Sequence, residues 1–175
     1  MIKRILVPVD FSDPCLQAVD YAAELGRRQN SELVLLHVVE PVYYPTVGEM
    51  YGVGLDLGDV YGEIERAARV QLDRLATRLK TRRVGVRTQL SLGTAHRVIV
   101  ESAKKLKADL IVMSTHGRTG LSHILIGSVA ERVVRTATCP VLTVRGRASA
   151  RPRRARDSRR ARPLDDRAAA RSPAR

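Results

Sequence analysis

The sequence predicts an α/β fold in which one doubly wound, five-stranded parallel sheet, in the order 3-2-1-4-5, carries helices on both faces. Short apolar runs rich in β-branched residues alternate with longer segments whose apolar residues recur at helical spacing. Each connection between successive strands is long enough to hold a helix, which parallel strands require. Ligands of such sheets bind beyond the carboxyl ends of the strands where the winding direction reverses, between the first and fourth strands.

The first strand and the start of the first helix are read from a short stretch at the beginning of the chain. Residues 2–9 form an apolar run that is typical of a strand and is followed by Asp10. The next turn offers Ser12 or Asp13 as an N-cap, with Pro14 at the first helical position.

The middle of the chain predicts a buried strand, a long excursion and a long helix. The first helix extends to about Gln29, and residues 31–39 are nearly all apolar, as in a strand buried on both faces. Residues 40–58 break the pattern with two prolines, four glycines and three of the five tyrosines, which predicts a long, mobile excursion. An amphipathic helix follows over residues 59–80.

The second half of the chain supplies three more strands. Residues 84–90 alternate apolar and polar side chains, which suits a strand near the sheet edge, and the Gly-Thr pair at 93–94 opens a helix. Residues 108–113 are predicted to form the fourth strand, residues 128–136 the last helix, and residues 140–144 a short fifth strand.

Charge and composition divide the chain into a folded domain over residues 1–145 and a disordered tail over residues 146–175. Eleven arginines and three aspartates give the tail a net charge of +8, which leaves +5 for the domain out of a total of +13. The tail has one large apolar residue, so it cannot bury enough surface to offset the entropy of ordering. Any affinity of the tail for nucleic acid would be weak, non-specific and salt-sensitive, and a purely solubilising role is the alternative.

Several classes of protein are disfavoured by what the sequence lacks. No apolar run reaches the roughly 20 residues of a membrane span, and the chain begins with a strand instead of a signal peptide. Cys15 and Cys139 both lie in apolar contexts, which favours buried free thiols in a cytoplasmic protein. The sequence contains no Gly-Lys-Ser/Thr motif, so a P-loop is excluded. It also contains no Gly-x-Ser-x-Gly motif, which disfavours a hydrolase with a catalytic triad.

A strand, a glycine-punctuated loop and a helix follow one another over residues 108–134, an arrangement that suits phosphate. Glycines let a phosphate approach the backbone, and the first amides of a helix donate to it. We interpret Gly117, Gly120, Gly127 and Ser128 as candidate phosphate contacts, with Ser128 also as a helix cap. The alternative is a tight turn whose glycines serve backbone geometry only.

Asp10 and Ser114 end the first and fourth strands, which places both at the predicted switch point. Asp10 would bind ribose hydroxyls or a metal ion on a nucleotide, or it would cap the turn that follows. The four histidines are scattered without metal-ligand spacing, and His37, inside an apolar strand, is interpreted as a core histidine.

Three segments together resemble the universal stress protein family over residues 1–145. They read ILVPVDFS, LLHVVEP and ADLIVMSTHGRTGLSHILIGSVAERVVRTATCPVLTV. The resemblance implies a parallel sheet of the adenine nucleotide alpha hydrolase-like type and a homodimer that pairs its last strands, from Pro140 to Val144. The ATP-binding subgroup of this family carries Gly-x2-Gly-x9-Gly-Ser/Thr, and in this chain a serine, Ser114, stands at the first glycine.

The same resemblance implies a site for ATP or another adenine nucleotide, with Mg²⁺ bridging its phosphates. Asp10 would contact the ribose or adenine, the backbone at Val38 would read the adenine edge, and Arg118 would lie by the phosphates. The implied binding residues are Pro8, Val9, Asp10, Val38, Ser114, Gly117, Arg118, Gly127 and Ser128. No catalytic residue and no direct protein metal ligand is implied, although Asp10 could reach the Mg²⁺.

We therefore expect a cytoplasmic, dimeric, ATP-binding stress-response protein whose nucleotide state biases residues 40–58 and an unidentified protein partner. Two alternatives stay open. One is a slow ATPase or nucleotide hydrolase, and the other is an interaction module that does not bind nucleotide and uses the basic tail.

Overall fold

The computed structural model of the protein describes residues 1–41, 57–115 and 127–145. Strands and helices alternate along these ranges. In chain order they are β1 Arg4–Pro8, α1 Asp13–Gln29, β2 Glu32–Val39, α2 Leu57–Lys80, β3 Gly85–Leu92, α3 Ala95–Leu106, β4 Leu110–Ser114, α4 Ser128–Thr136 and β5 Val141–Val144.

The strands form one parallel sheet in the order β3-β2-β1-β4-β5, which confirms the predicted fold class and winding. β1 is central: Ile5 is in register with Leu33 of β2 on one side and with Leu110 of β4 on the other. The winding direction reverses between β1 and β4, where the sequence places the switch point.

Two hydrophobic clusters cover the two faces of the sheet. On one face Ile5 and Val7 pack with apolar side chains of α1 and α2, including Leu72. On the other face Leu6 packs with α3 and α4, including Ile99. Successive strand residues point to opposite faces, so a strand covered on both sides must be apolar throughout. The near-continuous apolar run of β2 therefore indicates a strand that is buried on both faces.

α1 begins with the capping chemistry that the sequence predicts. Ser12 is the N-cap, and its hydroxyl accepts a hydrogen bond from the Cys15 amide at 3.4 Å. Because Ser12, not Asp13, is the cap, Pro14 stands one position later in the first turn than predicted. The C-cap residue that follows the helix is Asn30, whose backbone is left-handed with φ of 54°.

The other boundaries agree with the sequence to within about two residues. α4 has the predicted bounds, whereas α2 begins at Leu57, two residues before the predicted start, and β3 continues to Leu92. Most of the predicted excursion, residues 42–56, and the predicted tail lie outside the described residues. Within the described part of the chain, none of the helices combines the length and apolarity needed to cross a membrane.

Candidate functional site

A cavity of about 680 Å³ opens at the carboxyl ends of β1, β2 and β4. Its volume lies within the range of roughly 300–1,000 Å³ that is typical of small-molecule sites. The ends of the three strands form its floor, and α2 and the first turns of α3 and α4 form its walls. The residues that were predicted to form the site and that line this cavity are Pro8, Val9, Asp10, Val38, Ser114, Gly127 and Ser128. Gly117, Gly120 and Arg118 lie outside the described residues.

The junction between β4 and α4 is closed by a backbone hydrogen bond. The Gly127 amide donates to the Thr115 carbonyl at 2.7 Å, so the residue before α4 lies directly beside the residue after β4. Gly127 is the N-cap of α4, and it has no side chain to satisfy the first amides of the helix. These amides belong to residues 128–130, which line the cavity. The positive end of α4 therefore meets the cavity, where an anion is favoured.

Ser128 is the first residue of α4, and its cap is Gly127. The predicted capping role of Ser128 is therefore wrong, because the N-cap lies one residue earlier. Ser128 lines the cavity, and the role of its hydroxyl as a donor to phosphate remains a prediction.

Asp10 caps the turn that precedes α1. Its Oδ1 accepts hydrogen bonds from the Ser12 amide at 3.0 Å and from the Ser12 hydroxyl at 2.6 Å. Asp10 also lines the cavity. The structural role that the sequence left open is thus present, and a contact between Asp10 and a ligand stays a prediction.

Phe11 adopts a left-handed backbone with φ of 64°, which is uncommon for an aromatic residue. Such a conformation costs on the order of 1–2 kcal/mol and is found where the surroundings fix it. Its ring packs against His37 with a centroid separation of 4.7 Å and an interplanar angle of 38°. This turn aims the Phe11 ring at the cavity floor, a feature that the sequence did not reveal.

His37 is buried, with its Nδ1 at 2.6 Å from the Val9 carbonyl. A carbonyl only accepts hydrogen bonds, so Nδ1 carries the hydrogen. The interpretation of His37 as a core histidine agrees with this geometry. The bond also ties the end of β1 to β2 beneath the cavity.

Cys15 is among the residues that line the cavity and is almost fully buried. Its Sγ is 3.5 Å from the Pro8 carbonyl, and desolvation by burial raises its pKa to about 12. The thiol is therefore protonated at neutral pH and serves packing. Cys139 is only partly buried, so the prediction of two buried thiols holds for Cys15 alone.

Glu40 and α2 were not identified as parts of the site. Glu40 follows β2 directly, and its Oε1 accepts a hydrogen bond from the Ala95 amide at 2.7 Å, at the start of α3. From α2, Ile64 and Gln71 line the cavity. The position of Glu40 after a strand end was a usable signal, whereas nothing in the sequence indicates which helix stands beside this edge.

Groups of three or more metal-ligating side chains do not occur among residues 1–41, 57–115 and 127–145.

Comparison with known proteins gives a consistent family assignment. Residues 1–145 match the model of the universal stress protein family. Universal stress protein MJ0531 of Methanocaldococcus jannaschii is 37% identical over 146 residues, which cover 83% of this chain and 83% of that protein.

Solved structures show the same fold. The structure of MJ0577 of Methanocaldococcus jannaschii superposes with a TM-score of 0.74 at 29% identity, covering 85% of this chain and 99% of that one. A universal stress protein in complex with cAMP superposes with a TM-score of 0.58 at 24% identity, covering 83% of this chain and 98% of that one. An Arabidopsis thaliana family member with AMP bound has a TM-score of 0.59 at 22% identity, covering 87% and 97%. The chain belongs to the universal stress protein family.

Proposed function

We propose that this protein binds an adenine nucleotide, principally ATP with Mg²⁺, and acts as a nucleotide-dependent regulator. The observation that carries the proposal is the β4–α4 junction. There the first turn of α4, capped by a residue without a side chain, meets a cavity of nucleotide size. The phosphates would lie against the amides of Ser128 and the residues after it, where the helix dipole favours negative charge.

The opposite part of the cavity suits a purine and a ribose. Pro8, Val9 and Ile64 supply apolar surface, and Val38 brings backbone polar groups from the end of β2. Small-molecule sites combine apolar walls with a few placed polar groups in this manner. Asp10, which lines the cavity at the end of β1, would accept hydrogen bonds from the ribose hydroxyls.

The class of ligand is supported by family members. One has been solved with cAMP and another with AMP, so this fold accommodates an adenine monophosphate in those two proteins. The step from a monophosphate to ATP rests on the spacing of Gly117, Gly127 and Ser128, which fits the ATP-binding pattern of the family.

Mg²⁺ would be carried by the phosphates and would neutralise part of their charge. Asp10 fits such an ion because it lines the cavity and its carboxylate offers oxygen ligands. The phosphates and water would supply the ligands of the ion, and Asp10 would add an oxygen from the protein.

A regulator is favoured over a hydrolase by what fast ATP hydrolysis requires. Such hydrolysis needs positive charge at the γ-phosphate and a residue that orients the attacking water. The sequence has no Gly-Lys-Ser/Thr motif that would place a lysine at the phosphates. We further propose that the regulator is a cytoplasmic homodimer that pairs its β5 strands and binds an unidentified protein partner according to nucleotide state.

Calorimetric titration of wild type with ATP and Mg²⁺ tests the proposal. Ser128→Ala removes one hydroxyl donor to a charged phosphate, so its affinity should fall about five- to tenfold. Thr136→Ala is the matched control, because it removes a hydroxyl at the far end of the same helix. Its affinity should stay within about twofold of wild type. Equal affinities for all three proteins would refute the phosphate placement, and no heat of binding to wild type would refute the nucleotide site.

A further inference from the structure

The N-termini of two helices, α3 and α4, lie at the candidate cavity, and the two helix ends are capped differently. The N-cap of α4 is Gly127, which has no side chain to accept hydrogen bonds from the first amides of the helix. α3 begins beside a carboxylate of the protein itself: Glu40 Oε1 accepts from the Ala95 amide at 2.7 Å. Glu40 and Ala95 both line the cavity, and Glu40 is exposed, so its side chain stands at the solvent-facing rim of the site.

The position of Glu40 at the start of α3 is fixed by the backbone on both sides. The Gly93 amide donates to the Val39 carbonyl at 3.0 Å, which joins the end of β2 to the residue before the α3 cap. Gly93 has a φ of 133°, which L side chains rarely adopt. The N-cap, Thr94, makes no side-chain capping bond, so the Glu40 carboxylate supplies the negative charge that this helix end favours.

This arrangement has an electrostatic consequence for a bound nucleotide. The α4 end of the cavity attracts phosphate, whereas the α3 end, beside the strand end that would bind the adenine, carries an anion. ATP carries roughly two more negative charges than AMP, and a carboxylate at the same cavity repels each of them at low salt. The repulsion grows with the number of phosphate charges, and both Mg²⁺ and salt reduce it.

We propose that Glu40 is a specificity-determining residue that ranks adenine nucleotides by phosphate charge and makes the binding of ATP depend on its Mg²⁺ complex. This inference rests on the proposed nucleotide site and adds a residue to it. Glu40 acts through its charge at the cavity wall, and its capping bond holds that charge in place.

Glu40→Gln tests the inference because a glutamine carbonyl still accepts from the Ala95 amide while the charge is lost. Glu101→Gln is the matched control: it removes the same charge from an exposed position on α3 outside the cavity. The affinities of both variants and of wild type for AMP and for ATP are measured by calorimetry at low salt, with EDTA and again with excess Mg²⁺.

Without Mg²⁺, Glu40→Gln should bind ATP about three- to tenfold more tightly than wild type and AMP less than about twofold more tightly. Excess Mg²⁺ or high salt should bring the two gains together, and Glu101→Gln should change neither. A purely structural cap would alter both affinities equally, so equal changes for ATP and AMP would overturn this inference alone. A wild type that binds neither nucleotide would overturn the proposed function as well.

Discussion

The amide of Gly127 donates a 2.7 Å hydrogen bond to the carbonyl of Thr115, and this bond brings the start of α4 to the end of β4. Thr115 also donates its own amide to the Val144 carbonyl at 3.1 Å, which extends the β4–β5 ladder by one residue. A single buried residue thus joins the candidate phosphate end of the cavity to the edge strand of the sheet. The proposed nucleotide site and the proposed dimer strand are therefore in direct backbone contact.

A substitution at Gly127 distinguishes the stability of α4 from the binding of phosphate at its first turn. Its φ of −66° and ψ of 151° are accessible to any L residue, so the backbone itself does not require glycine. Gly127→Ser supplies an N-cap hydroxyl that accepts from the first amides of α4. The free energy of unfolding should stay unchanged or rise by a few tenths of a kcal/mol.

The affinity of Gly127→Ser for ATP should nevertheless fall by tenfold or more, because the hydroxyl takes donors that phosphate would use. Gly62→Ala is the control, since a Cβ at that helical position meets open space. Chemical denaturation and calorimetry measure the two quantities. Undiminished affinity in Gly127→Ser would mean that the phosphates do not use this helix end.

Asp10 is tested by a pair of substitutions. Asp10→Asn keeps an oxygen that accepts from Ser12, so its stability should stay near that of wild type. Asp10→Ala loses both hydrogen bonds and should be destabilised by about 1–2 kcal/mol. If Asp10 contacts the ribose or Mg²⁺, Asp10→Asn should weaken the binding of ATP with Mg²⁺ about tenfold. Wild-type affinity in Asp10→Asn would leave Asp10 with the turn-capping role alone.

Ser114 occupies the position at which the family pattern has glycine. Ser114→Gly should leave the affinity for ATP unchanged or raise it, because the substitution removes a Cβ at the cavity. The fold should lose about 0.5–1 kcal/mol, since glycine is unfavourable in a strand. Titration together with denaturation checks both effects. A large loss of affinity would instead identify the Ser114 hydroxyl as a ligand contact.

Glu32 links three strands at the amino-terminal edge of the sheet. Its carboxylate bonds to Arg87 of β3 at 2.6 Å and to Arg4 of β1 at 3.0 Å, and the Arg87 bond makes the largest contribution to lowering its pKa from 4.5. A carboxyl with a lowered folded pKa stabilises the fold above its unfolded pKa, and this stabilisation is lost as the pH falls through the folded value.

Glu32→Gln should therefore lower the free energy of unfolding at pH 7 by about 0.5–1 kcal/mol. The difference from wild type should shrink as the pH falls below about 4.5. Urea denaturation at pH 7 and at pH 3 measures both values. A difference that stays constant between these two pH values would show that the ion pairs do not contribute.

The predicted dimer interface is the edge strand β5. Within the ladder, the Ile111 amide donates to Pro140 and the Thr115 amide to Val144, so the backbone groups of alternate residues point toward β4. The amide of Thr143 then points to the open edge. Thr143→Pro removes it without breaking the β4–β5 ladder, which edge strands tolerate.

Light scattering should find a dimer for wild type and a monomer for Thr143→Pro, with an unchanged far-ultraviolet circular dichroism spectrum. Thr143→Ala is the control, because it keeps the amide and should remain dimeric. A dimeric Thr143→Pro variant would place the interface elsewhere, and a monomeric wild type would refute the dimer.

The sheet was predictable because burial on both faces forces a residue pattern that can be read locally. Leu33 and Val34 point to opposite faces and are both fully buried, which leaves a continuous apolar run in β2. The switch point then followed from the strand order. The position of Gly127 before the last helix was predictable for a similar reason, since a glycine before a helix is a local feature. Its contact with phosphate stays a prediction.

The remainder of the site depends on contacts between distant parts of the chain. The bond from the Ala95 amide to Glu40 spans 55 positions, and the packing of Phe11 on His37 spans 26. The left-handed backbone of Phe11, which is uncommon for an aromatic residue, accompanies this packing. Tertiary contacts, and not local propensity, therefore decide which side chains complete the cavity.

The most direct test of the central claim is native mass spectrometry of the purified full-length protein, before and after incubation with millimolar ATP and Mg²⁺. Binding at the cavity predicts a mass shift that corresponds to one adenine nucleotide per chain, and Gly127→Ser should reduce its occupancy. A wild-type protein that shows no nucleotide mass either as purified or after incubation would contradict the account.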